Sequence, residues 1–364
     1  MEHQSNRLIA VDAMRGFTIA AMILVNFPGD DEYVFAPLRH TVWNGLTPTD
    51  LIAPIFLFIV GISIVLAYSK RLDEPNKGPL YKKILIRSLK IFAVGIFLNL
   101  LPDFNFSELR YTGTLPRIAL AFLACAPIYL TTSFKTQVWI GAVILIAYWL
   151  VMTLIPTPGE GKVMLERGVN LAAWIDSKFL PGRMWQGTWD PEGILSTFPS
   201  IVSGITGLLA GQLLISKRQH TDKVIYLMIL GLVSTVAGYV WGLIFPVNEN
   251  LWTSSFVLVS SGVASMVLGA AYYVVDIRGY QTGTKPGIIF GANSIAVYVL
   301  AEFFALVLYL LPIGSATLNI HAVNFFSGLG LSRELAGLIY SLFFVCVNFI
   351  PAYILYQKKI FIKL

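Results

Sequence analysis

Between residues 51 and 69 the chain runs LIAPIFLFIVGISIVLAYS without one charged side chain. About 17 to 25 apolar residues suffice to cross the hydrocarbon of a bilayer as a helix, the form in which a segment satisfies its own backbone. The pattern recurs. Spans are predicted at about residues 8–27, 48–68, 84–101, 115–132, 137–155, 194–215, 224–245, 253–275, 286–311 and 334–356. Only 13% of the 364 residues are charged, against about 25% in soluble domains. The fold class that follows is all-α: a polytopic integral membrane bundle of about ten transmembrane helices. No internal repeat, heptad or low-complexity tract stands out, so residues 1–364 read as one membrane domain.

The first span follows Arg7 and carries Arg15, as a secretory signal would, yet no small-x-small cleavage site comes after it. It is expected to be retained. Threading ten spans from a cytoplasmic N-terminus places most of the 26 basic residues inside, Lys82, Lys83, Arg87, Lys90, Lys217 and Arg218 among them. Cytoplasmic loops retain Lys and Arg during insertion, so both termini are expected to be cytoplasmic. The net charge of +6 then reports topology, and no nucleic-acid partner is expected. Cys125 and Cys346 both fall in apolar segments, which predicts neither a disulfide framework nor a metal cluster.

Chemistry concentrates at one boundary, where RHTVWNGLTPTD leads into the uncharged run. Of the four histidines, His3 lies in the N-terminal tail, His220 in a charged loop and His321 in a loop after an apolar segment. His40 alone is flanked by a Trp, an Asn and a carboxylate, namely Trp43, Asn44 and Asp50. Near neutral pH an imidazole can take a proton or carry a covalent adduct. A membrane-edge anchor is the bland reading of the same residues. By the threading above this face lies outside, as does the loop at about 156–192 with Trp174, Trp185, Trp189, Asp190 and Glu192. Those aromatics suit either an interfacial belt or a platform for sugar rings.

Polar side chains at membrane depth are functional candidates because each costs several kcal/mol unless paired. Asp12 and Arg15 stand three apart and can neutralise one another, although Arg15 could also meet a phosphate. Asn26 closes the first span, where its amide could serve an oxyanion or merely cap the helix. Asn99, Arg117, Asn293 and Glu302 are placed to line a cavity. Walker, dinucleotide, HExxH, CxxC and GxSxG signatures are absent, so no metal site is expected. Phosphates would have to be held by scattered cations such as Lys83 and Arg87, for which topology is the commoner explanation.

Several separated blocks in one order carry a family resemblance: RLIAVDAMRGFTIAAMILVNFPG, RHTVWNGLTPTDLIAPIFLFIVGISI, WDPEGILSTFPSIVSGITGLLAGQLL, FPVNENLWTSSFVL, VVDIRG, GANSIAVYV and AYILYQKKIFIKL. Over nearly its whole length the chain resembles the heparan-alpha-glucosaminide N-acetyltransferase family and its bacterial members. The resemblance implies a single transmembrane acyltransferase domain that moves an acetyl group from cytoplasmic acetyl-CoA to an amino-sugar or glycan acceptor across the membrane. It implies a multi-pass protein of a bacterial inner membrane, embedded in lipid, and a homodimer. His40 matches the family's active-site histidine, Asn26 the asparagine ending the first conserved helix, and Asn44 and Asp50 the polar residues that follow. For acetyl-CoA the expected contacts are Arg15, Asn99, Arg117, Asn293, Lys83 and Arg87. The family reads His-Glu where this chain has Ala301 and Glu302, so no second histidine role transfers there. The lysosomal enzyme carries a luminal domain and a span ahead of the first block, whereas this chain is expected to start almost at that block.

Two routes use the same residues. Neutral His40 can deprotonate the acceptor as its nitrogen attacks the thioester, or His40 can itself be acetylated and pass the group on. The direct route is preferred, since a base and an oxyanion donor suffice. A transporter of a small solute or sugar is the rival from another class, because intramembrane Asp12, Arg15 and Glu302 also suit a substrate pathway.

Overall fold

A computed structural model describes residues 8–101, 104–310, 312–314 and 316–362. His3 and Arg7, named above, lie outside the described residues. Thirteen α-helices are present among the described residues: α1 (Ile9–Asn26), α2 (Ile52–Tyr68), α3 (Gly78–Leu100), α4 (Thr114–Thr131), α5 (Phe134–Leu154), α6 (Leu171–Phe179), α7 (Ile194–Ile215), α8 (His220–Gly242), α9 (Ser254–Ala271), α10 (Thr284–Ala292), α11 (Ser294–Leu310), α12 (Leu318–Gly328) and α13 (Arg333–Gln357). The only strands among them are a two-residue pair, Pro312–Ile313 against Ala316–Thr317.

The protein is an all-α polytopic membrane bundle. Every predicted span falls on a helix, and among the described residues eight helical stretches are long and apolar enough to cross a bilayer. Two predicted spans differ in character from those eight. The span expected at 286–311 is broken into α10 and α11, bent by 83° at Asn293. The one expected at 84–101 is the second part of α3, a 23-residue helix with Lys82, Lys83, Arg87 and Lys90 before its last ten residues. The short helices α6 and α12 were not anticipated, being 9 and 11 residues long.

The chain forms two compact units. One comprises Met1–His40, Thr47–Ile52 and Ala270–Leu364, and the other Thr41–Leu46 and Ala53–Gly269. In the first, α1 crosses α10 so closely that a Cβ on Gly16 would fall on the Gly287 carbonyl. Gly287 and Gly291 stand four apart on α10, the small-residue spacing that lets helices in lipid gain dispersion contact and approach backbone to backbone. The start of α1 has no side-chain cap of its own. Asp276, in the π-helical turn Tyr272–Ile277, supplies one, its two carboxylate oxygens each accepting a backbone N–H, from Ile9 and Ala10, at 2.9 Å. A carboxylate there also faces the positive end of the helix dipole.

In the second unit α7 is the central post, touching α4, α5, α6 and α8. A Cβ on Gly207 would overlap the Phe58 carbonyl and one on Gly61 the Gly204 carbonyl, so α2 and α7 also meet through glycine. Around this contact Val65, Leu80, Ile84, Cys125, Ala126 and Leu208 form a core that excludes solvent.

Candidate functional site

In the first unit the sequence T-P-T-D, residues 47–50, sets one carboxylate. Proline at 48 preorganises the turn, and Thr49–Leu51 forms a single 3₁₀ turn that runs straight into α2. Asp50 folds back three residues so that its Oδ2 accepts the Thr47 N–H at 2.7 Å, half of a capping box. Thr49 Oγ1 donates to the Pro37 carbonyl at 3.1 Å, tying this turn to the segment before His40. The other oxygen of Asp50 receives His40: Nδ1 to Oδ1 is 2.8 Å. Asp50 has no solvent exposure, whereas the His40 side chain is half exposed. A buried carboxylate at Nδ1 fixes the tautomer with the proton on that nitrogen. Such a pair can accept a proton, stabilise the resulting imidazolium, or present Nε2 as a nucleophile.

Asn26 ends α1 and donates from Nδ2 to the Tyr298 hydroxyl of α11 at 3.4 Å. Asn293, at the break between α10 and α11, is committed to the C-terminal tail. Its Nδ2 donates to the Ile360 carbonyl at 2.9 Å and its Oδ1 accepts the Ile362 N–H at 2.7 Å. Arg15 pairs with Asp12 at 3.2 Å, the neutralisation their spacing allowed.

In the second unit the W-N-G part of the motif docks onto the segment 246–253. Gly45, at φ 122°, donates its N–H to the Val247 carbonyl at 2.8 Å. Asn44 Oδ1 accepts from Asn248 Nδ2 at 3.0 Å. Asn248 is fully buried and its Oδ1 accepts the Leu251 N–H. Trp43 donates its indole N–H to the Leu165 carbonyl at 2.9 Å and meets Trp189 edge to face, centroids 5.3 Å apart. Asn248 was not anticipated. Its one signal was membership of the FPVNENLWT block.

The loop before α7 is built on an ionic clamp. Arg110 grips Asp190 with two parallel hydrogen bonds of 2.8 and 2.7 Å and reaches Glu192 as well. Burial alone would push the Asp190 carboxyl up, but the Arg110 guanidinium overrides it and holds the group at about 2. Asp176 on α6 behaves oppositely. Burial raises its carboxyl to about 6, although the Ile194 N–H donates to it at 2.9 Å. Arg117 is buried, donates to the Pro191 carbonyl and Ser196, and lies 4.7 Å from the centre of the Trp252 ring.

Asn99 gives its amide hydrogens to the Arg110 and Thr112 carbonyls, both at 2.8 Å. Lys83 and Arg87 are exposed on α3, with the Arg87 guanidinium over the Phe122 ring.

Fold and site together define a multi-pass helical membrane protein with an imidazole aligned by a buried carboxylate at the start of a span. Residues 7–223 match the family model described as "Heparan-alpha-glucosaminide N-acetyltransferase, catalytic", and the chain belongs to that family. Mouse heparan-alpha-glucosaminide N-acetyltransferase is 31% identical, over 81% of this chain and 53% of its own length. The human protein of that name is 32% identical, over 82% and 53%. The chain spans about half the length of these curated relatives.

Proposed function

We propose that this protein is a transmembrane acetyltransferase that transfers the acetyl group of acetyl-CoA to the amino group of a glucosamine-like sugar. The observation that carries the reading is the 2.8 Å contact between His40 Nδ1 and the buried Asp50 carboxylate, within the stretch 7–223 that matches the family model. Nε2 of His40 takes a proton from the acceptor amine as its nitrogen attacks the thioester carbon. The N–C bond forms, the C–S bond breaks, and the proton passes from the imidazolium to the leaving thiolate. Asp50 keeps the imidazole in the productive tautomer and offsets its transient charge. Asn26 is assigned as the oxyanion donor, and Asn44 as a further substrate contact.

Acetyl-CoA enters as a substrate. Lys83 and Arg87 are assigned to its phosphates, because Asn99 and Asn293 already satisfy backbone groups. With the N-terminus inside, donor and acceptor approach from opposite faces of a bacterial cytoplasmic membrane, and the acetyl group crosses while CoA does not. The whole of 1–364 is taken as one acyltransferase domain, since the similarity to the relatives runs across both units. The test is a panel of amino sugars supplied to sealed, oriented vesicles with labelled acetyl-CoA. Acceptor-dependent release of free CoA with label on the sugar nitrogen is expected. Flux of unmodified solute without CoA release would replace the reading with transport.

A further inference from the structure

Within the second unit a cavity of about 640 Å³ opens between α7, α8 and α9. Its walls are largely aliphatic, from Leu209, Ala210, Leu213, Leu227 and Leu230. The polar groups along it are turned to each other or to backbone. Thr206 Oγ1 donates to Ser261 Oγ at 2.9 Å and Gln212 Nε2 to Gln137 Oε1 at 2.6 Å. Ser234 and Ser265 donate to the Leu258 and Leu227 carbonyls at 2.8 and 2.9 Å. A lumen lined this way offers a guest almost no hydrogen bonds. The pantetheine arm of CoA, with two amides and a hydroxyl, would lose its water there without replacement, at a cost of about 1–3 kcal/mol for each group. A hydrocarbon chain loses nothing.

The cavity ends at the α7–α8 turn, where Arg218 contributes to its lining and Lys217 beside it is exposed. The Arg218 guanidinium lies 4.9 Å from the centre of the Tyr226 ring and its Nη1 donates to the Tyr226 hydroxyl at 3.5 Å, an arrangement in which Nη2 and Nε can meet an anion. Nearby Lys223 is engaged by the Leu214 carbonyl at 2.7 Å. Most of the outward face of α8 is exposed and apolar, Ile229, Leu230, Leu232 and Val233 included, so lipid has direct access.

We propose that this cavity is a phospholipid site, with one acyl chain between α7, α8 and α9 and an anionic headgroup on Arg218. It shares no residue with the histidine–aspartate pair and does not rest on the acetyltransferase reading. The test is native mass spectrometry of the full-length, delipidated protein titrated with phosphatidylglycerol or phosphatidylcholine. One saturable lipid per chain is expected, with phosphatidylglycerol preferred. Arg218→Gln is expected to reduce that preference about fivefold, the scale of one basic residue at an anionic surface. Leu230→Trp, at an exposed position, is expected to remove the saturable adduct without altering the melting profile. Non-saturable adducts, adducts indifferent to Leu230→Trp, or loss of a dimer at unchanged lipid count would overturn the proposal. So would displacement of the bound lipid by CoA.

Discussion

The Nδ1 of His40 lies 2.8 Å from Oδ1 of Asp50, and the second oxygen of the same carboxylate holds the Thr47 N–H at 2.7 Å. One buried side chain therefore aligns the imidazole and closes the first turn of α2. Asp50→Asn keeps the shape and an acceptor but removes the charge. It is expected to lower acetyl transfer by about 10⁴, the scale of a lost tautomer-fixing carboxylate, with the melting temperature nearly unchanged. Asp50→Ala leaves the Thr47 N–H unsatisfied and is expected to lower stability as well, by about 1–3 kcal/mol. Thermal melts and single-turnover rates on the two variants separate the roles.

Asn26 bonds the Tyr298 hydroxyl at 3.4 Å, a long contact that leaves amide capacity for a substrate. Asn26→Ala is expected to reduce turnover about a hundredfold, as loss of one oxyanion donor does. An unchanged rate would reduce Asn26 to a tie between α1 and α11.

The chain was transparent where composition decides and opaque where a single contact decides. Ten apolar runs announced ten helical stretches, because lipid leaves a backbone little other choice. The bend at Asn293 was hidden, since GANSIAV has no proline and the break is held by the distant carbonyl of Ile360 and N–H of Ile362. His40 and Asp50 stand in one polar motif, yet the bond between them was not legible, because the nine intervening residues can fold many ways. The T-P-T-D run was the available clue. Arg110 and Asp190 are 80 residues apart, and nothing local links them.

Two carboxylates should bend the pH dependence of stability in opposite directions. The folded Asp190 group titrates at about 2, below its ordinary 3.8, so its stabilisation is present above about pH 4 and is lost as pH falls toward 2. The folded Asp176 group titrates at about 6, so its contribution is greatest below about pH 4 and declines as pH rises to 6. Asp190→Asn is expected to flatten the acid limb and lower stability at neutral pH. Asp176→Asn should remove the decline between pH 4 and 6. Melting temperatures from pH 3 to 8 in detergent would read both.

Helix proximity in the first unit is equally exposed to test. Gly16→Val drives a side chain into the Gly287 carbonyl and is expected to cost at least the roughly 1–3 kcal/mol of overpacking. Gly16→Ala should cost less, with a melting temperature between that of the valine variant and that of the wild type.

The most direct measurement is acetyl transfer by folded His40→Gln protein in sealed vesicles, with label followed from acetyl-CoA to an amino sugar. The account predicts that labelled product and acceptor-dependent CoA release fall together by at least about a thousandfold, the upper part of the range for general-base loss. Turnover within a few-fold of wild type would remove His40 from the chemistry and contradict the account.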